Sequence, residues 1–114
     1  PRPRRGFRLH SYGGPAEMVR SFADLGAYFS FSGYFLQPSQ EKKRTAFRLV
    51  PEDRLLIESD APDQCLPVEL DEFRLTDPAN GERLNHPANL PVIYRNWPAA
   101  DPERIAGNFR RLFG

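Results

Sequence analysis

The feature that most constrains this chain is an alternation of two periods, strand-like and helix-like, that runs without interruption to residue 58. Gly6-Phe7-Arg8-Leu9-His10 alternates apolar and polar residues and reads as a short strand ending at a histidine. Gly13-Gly14-Pro15 then breaks the chain, with proline suited to a first helical turn. Met18, Val19, Phe22 and Leu25 follow at i, i+1, i+4 and i+7, one apolar helix face, with Gly26 as its C-cap. Ala27-Tyr28-Phe29-Ser30-Phe31-Ser32 is aromatic-rich and β-compatible, a second strand closed by Gly33. A basic helix is expected over about residues 39–50, with Ala46, Phe47 and Val50 inward and Pro51 at its end. Arg54-Leu55-Leu56-Ile57-Glu58 is a third strand whose apolar centre suits burial on both faces. Strand, helix, strand, helix, strand is the pattern of right-handed βαβ units, so the fold class is α/β with a parallel sheet.

Beyond residue 60 the pattern weakens. Twelve prolines are many for 114 residues, and they crowd the segment from Pro62 to Pro102, which reads as a long irregular stretch. A closing helix follows: Asp101 caps it, Pro102 sits at its first position, and Ile105, Phe109, Leu112 and Phe113 form its apolar stripe. Hydrophobic residues at 39% and charged residues at 27% exclude a disordered or membrane-spanning chain, and there is no signal-peptide pattern at the start. One cysteine, Cys65, excludes an internal disulfide framework and makes a reducing cytoplasm the expected compartment. A net charge of +1 names no partner. The basic run Pro1-Arg2-Pro3-Arg4-Arg5 reads as a solvated end before it reads as a phosphate contact, and Lys42, Lys43 and Arg44 read as the solvated face of a helix.

Two residues share a position that matters for chemistry. His10 stands at the C-terminal end of the first strand, and Asp60 just past the third, in Glu58-Ser59-Asp60-Ala61-Pro62. Parallel α/β folds bring the C-terminal ends of their strands to one ligand-binding face. An imidazole and a carboxylate there suit zinc, manganese or magnesium. On spacing alone the ordinary readings, a hydrogen-bonded core histidine and a turn-capping aspartate, weigh more, because two ligands do not define a site.

Five segments in order carry a resemblance to the TatD family of metal-dependent deoxyribonucleases. Leu9-His10-Ser11-Tyr12-Gly13-Gly14 is similar to that family's His-Cys-Phe-Ser/Thr-Gly segment, with Ser11 and Tyr12 in place of the commoner Cys and Phe. Leu55-Leu56-Ile57-Glu58-Ser59-Asp60-Ala61-Pro62 resembles its Leu-Leu-Glu-Thr-Asp-Ala/Ser-Pro motif, and the strand from Gly26 to Gly33 fits between them. Asn85-His86-Pro87 resembles its Asn-Glu-Pro segment, and Asn108-Phe109-Arg110-Arg111-Leu112-Phe113 its closing Asn-x-x-Arg-Leu-Phe.

The resemblance implies the C-terminal portion, about strands six to eight and the closing helix, of an amidohydrolase-type (β/α)₈ TIM barrel, spanning residues 1–114. It implies hydrolysis of phosphodiester bonds in DNA by the complete enzyme with a divalent metal ion, Mg, Mn or Zn. His10 and Asp60 would be metal ligands, Asp60 also the residue that orients or deprotonates water. Glu58, Asn85 and His86 would support the site or line its rim. The family's His-x-His pair, a glutamate and a further histidine have no counterpart here, and a full barrel needs about 250 residues. This piece is therefore expected to be inactive alone and, with two open sheet edges, prone to self-association. A partner-binding module, or a hydrolase acting on another ester or amide, is the alternative. The metal reading makes one geometric demand: His10 and Asp60 must emerge at the same end of the sheet.

Overall fold

A computed structural model describes residues 6–10 and 12–114. The basic run at residues 1–5, and Ser11 of the His10 segment, lie outside the described residues.

Three strands form a parallel sheet in the order β1 (Phe7–Leu9), β2 (Ala27–Ser32), β3 (Leu55–Glu58). The crossovers are α1 (Val19–Asp24), preceded by a 3₁₀ turn at Ala16–Met18, and α2 (Glu41–Arg48). The register pairs Leu9 with Phe29 and Phe29 with Leu55, then Ser32 with Glu58, so side chains alternate coherently across all three strands. One face carries Phe7, Leu9, Ala27, Phe29, Phe31 and Leu55 into the main core, under the helices. Phe31 anchors it, stacked on Trp97 at 4.4 Å and edge-on to Phe47 at 5.0 Å. The other face carries Arg8, Tyr28, Ser30, Ser32, Leu56 and Glu58; at its lower end Tyr28 and Leu56 pack with Leu112.

Alternation thus gives the expected parallel βαβαβ arrangement, but two helix faces differ from expectation. Val19 and Ala23 are buried on α1 whereas Met18 and Leu25 are exposed. Met18 ends the tighter 3₁₀ turn, whose shorter period takes it off the α-helical stripe, and Leu25 lies beyond the last α-helical residue. Gly26 then turns the chain into β2 at φ +100°, donating its N–H to the Ala23 carbonyl at 3.0 Å; a side chain would be strained there.

The closing helix α4 runs over Pro102–Phe113, with the Asp101 carboxylate accepting from Glu103 N at 3.1 Å. Its inward stripe is Ile105, Asn108 and Leu112, whereas Phe109 and Phe113 are about half exposed and lie ring against ring at 4.6 Å. Asn108 sets this rotation. It is fully buried and its amide donates to the Glu52 and Leu55 carbonyls at 2.9 and 2.7 Å, so helix and strand lock through hydrogen bonds where the sequence pattern points to an aromatic stripe.

Residues 60–101 are ordered, which corrects the reading of an irregular stretch. They form an antiparallel hairpin, β4 (Arg74–Thr76) with β5 (Arg83–Asn85), and then α3 (Leu90–Asn96). Leu66, Val92, Ile93 and Trp97 pack them into the main core, and buried polar groups fix the hairpin. The Asn89 carbonyl oxygen accepts from the N–H groups of Glu72 and Phe73 at 3.1 and 3.0 Å, and its amide donates to Asp71 and to the Phe73 carbonyl. The buried Asp71 carboxylate also takes Arg83 at 3.0 Å. Every residue of β4 is exposed, so no apolar alternation marks it. Trp97, buried, caps the C-terminal end of α3.

Candidate functional site

β1 delivers His10 at its C-terminal end, and β3 delivers Asp60 two residues past its own; because both strands parallel β2, the two side chains emerge together. His10 Nε2 lies 3.3 Å from Asp60 Oδ1, and His10 Nδ1 lies 2.9 Å from Glu58 Oε2. Arg8, two residues before His10 on the same face, reaches the same Glu58 oxygen at 3.4 Å. Side-chain exposure falls from 47% at His10 through 29% at Asp60 to 14% at Glu58, so the pair opens to solvent with Glu58 beneath it.

The backbone at Asp60 takes φ +55°, a left-handed conformation that short polar residues tolerate best. Asn85 holds this bend. Its amide donates to the Ser59 and Asp63 carbonyls at 2.6 and 2.9 Å, its backbone N–H donates to Pro62 at 2.8 Å, and it is only 2% exposed. The hairpin strand β5 therefore clamps the loop that carries Asp60. Nearby, the Ser32 hydroxyl donates to the Gln64 side-chain carbonyl, tying β2 to the same loop.

His86 is turned elsewhere. Its Nδ1 accepts from Ala88 N at 2.9 Å, capping a short 3₁₀ turn, and its ring lies 5.9 Å from Phe73. The Cys65 thiol sits 3.7 Å from the Arg83 carbonyl. Sequence reasoning missed Arg8 and Ser32. Strand alternation from His10 and Glu58 is the signal that finds them, once the register is known.

The donor chemistry fits a divalent ion. Two ligands about 2.1 Å from one ion stand 3.3 Å apart when they subtend an angle of roughly 100°, between octahedral and tetrahedral values. With Nδ1 facing Glu58 and Nε2 facing Asp60, the ring has the arrangement in which a carboxylate orients a metal-binding imidazole. Among the described residues, no group of three or more His, Cys, Asp or Glu is placed to hold an ion by itself.

Comparison with known proteins agrees in extent and in kind. A family model described as TatD related DNase matches residues 2–113. The chain is 32% identical over 120 residues to a 3'-5' ssDNA/RNA exonuclease TatD of Citrobacter rodentium, covering 96% of this chain and 42% of that protein. It is 44% identical over 54 residues to an uncharacterized metal-dependent hydrolase, YcfH, of Escherichia coli K12, covering 47% of this chain and 20% of that one. In fold it is similar to the crystal structure of a TatD homologue from Escherichia coli K12, with TM-score 0.69, 23% identity, and 96% of this chain against 40% of the other. A TatD-family hydrolase from Entamoeba histolytica gives TM-score 0.67 at 16% identity over 92% and 41%. The chain spans about two fifths of the length of these relatives.

Proposed function

The chain belongs to the TatD-related DNase family, with the fold of part of its (β/α)₈ barrel, and from that membership and the His10–Asp60 pair we propose that it supplies half the active site of a metal-dependent hydrolase. The observation that carries the reading is the meeting of His10 and Asp60, 50 residues apart, at one end of a parallel sheet. We place these strands as six, seven and eight of the complete barrel. The substrate of the whole is a nucleic-acid phosphodiester, in keeping with the Citrobacter relative, a 3'-5' ssDNA/RNA exonuclease, and DNA is the one we put first.

His10 and Asp60 would hold a divalent ion, Mg, Mn or Zn. When bound, such an ion supplies Lewis acidity and a lowered pKa for water. Asp60, partly open to solvent beside His10, is placed to accept the proton of the attacking water. Glu58 receives the Nδ1–H of His10 and fixes its tautomer, while Asn85 keeps the Asp60 bend in position. No helix among the described residues is long and apolar enough to cross a membrane. The single cysteine suits a reducing cytoplasm, and the open edges of β1 and β3 favour self-association of this piece.

A completed barrel tests this, made by fusing the N-terminal part of the Citrobacter relative to this chain. The fusion should cleave single-stranded DNA with manganese, and Asp60→Asn should lower the rate by about 10²–10⁴-fold. The 114-residue chain alone should show no cleavage. Full activity in the Asp60→Asn fusion would refute the reading.

A further inference from the structure

We propose that the cleft between residues 13–16 and the start of α2 is a phosphate-binding subsite, in which Lys42 and Lys43 hold a phosphate of the nucleic-acid strand beside the one cut at His10 and Asp60. The proposal rests on the phosphodiesterase reading above and adds a place where the strand is held.

The cleft encloses about 500 Å³, within the range of small-ligand sites, and is lined by residues 13–16 on one wall and by Lys42, Lys43 and Thr45 on the other. Both walls follow the C-terminal ends of their strands: residues 13–16 come just after β1 and His10, and α2 begins after the turns that leave β2. Gly13 is three residues from His10, so their Cα atoms are at most about 11 Å apart. Neighbouring phosphates of one strand advance about 3.4 Å along a duplex axis, and farther when the strand is stretched, so a strand entering at His10 reaches the cleft within a few phosphates.

The ammonium groups are specific to this place. Lys42 and Lys43 are the only lysines in the chain. Several of its arginines are committed to fixed acceptors: Arg44 to the Phe35 and Gln37 carbonyls, Arg54 to Ala23 and Ala27, Arg83 to Leu66 and Asp71. Lys43 donates to the Gly13 carbonyl, which fastens the two walls and leaves two of its three protons to offer. Lys42 is exposed and has no hydrogen-bond or ion-pair partner among the described residues. No carboxylate lines the cleft. Glu41, next in sequence, faces Arg44 and Arg48, whose guanidinium groups hold its carboxyl below the usual range. An ammonium on a flexible stem suits a phosphate that is held rather than read.

The test measures binding of a short single-stranded oligothymidylate to this chain by fluorescence anisotropy across a salt series. Lys42→Gln and Lys43→Gln should each flatten the dependence of log K on log salt by about 0.7, the value of one released single-strand contact. Arg104→Gln, on the solvent face of α4, should leave the slope unchanged. Because the chain has two lysines, acetylation read by mass spectrometry is a second probe, and the oligonucleotide should slow modification of both. Unchanged slopes with unprotected lysines would overturn the proposal. So would an equal slope loss in Arg104→Gln, or orthophosphate binding as tightly as the strand. In the fused barrel, lost cleavage with these lysine effects intact would sink the hydrolase reading and support the subsite. Intact cleavage without them would do the reverse.

Discussion

The sheet unit, residues 6–58, and the segment after it, residues 59–101, share one apolar core but differ in how much buried polar bonding they add to it. In the first, Phe29, Phe31, Phe47 and Leu55 are essentially removed from solvent, and apolar burial holds the strands against the helices. In the second, Leu66, Val92, Ile93 and Trp97 join that same core, but Asn85, Asn89 and Asp71 are buried beside them and strand β4 has no buried side chain at all. The site joins the two, since His10 and Glu58 stand on the apolar-packed sheet while Asp60 rides a loop that Asn85 clamps from the polar-built hairpin.

The largest effect should come from the apolar unit. Phe31→Ala removes a ring stacked on Trp97 and packed on Phe47, and should cost about 3–5 kcal/mol in denaturant unfolding. A loss below about 1 kcal/mol would erase the contrast between the two regions. Asn89→Ala should cost less, about 1–3 kcal/mol, because it leaves the Glu72 and Phe73 N–H groups without their acceptor. Hydrogen exchange should speed up at β4 and β5 while β2 amides keep their protection; uniform acceleration would show that the hairpin and the sheet open as one.

What was legible follows the same division. The order of strands and helices to residue 58 is written in apolar periodicity, as Leu55-Leu56-Ile57 shows, and the positions of His10 and Asp60 follow from it. The hairpin was not legible, because its hydrogen bonds pass through Asn89 and Asp71, which look in sequence like any loop residues. The stripe of α4 was misread for a related reason: Asn108 took the inward place that Phe109 claims by hydropathy. Asn85 was visible as part of a motif, but its grip on the Asp60 loop depends on a hairpin that the pattern hides.

Asn85→Ala sharpens the coupling between the regions. In the fused barrel it should weaken metal affinity by about 10–100-fold, as loss of a supporting contact does, with the sheet's own stability little changed. Unaltered affinity would mean that the Asp60 bend needs no clamp. The smallest effect should be Phe109→Ser, within about 0.5 kcal/mol of the parent in denaturant unfolding, because that ring is exposed where the sequence stripe would bury it.

The pairing of His10 with Asp60 as metal ligands is tested most directly by manganese titration of this chain, followed by NMR of its imidazoles. The chain has two histidines, and the second, His86, faces Phe73 and Ala88. Sub-stoichiometric manganese should broaden the His10 ring signals and spare those of His86, and Asp60→Asn should abolish the difference. Equal broadening of both rings, or selective broadening that survives Asp60→Asn, would contradict the account.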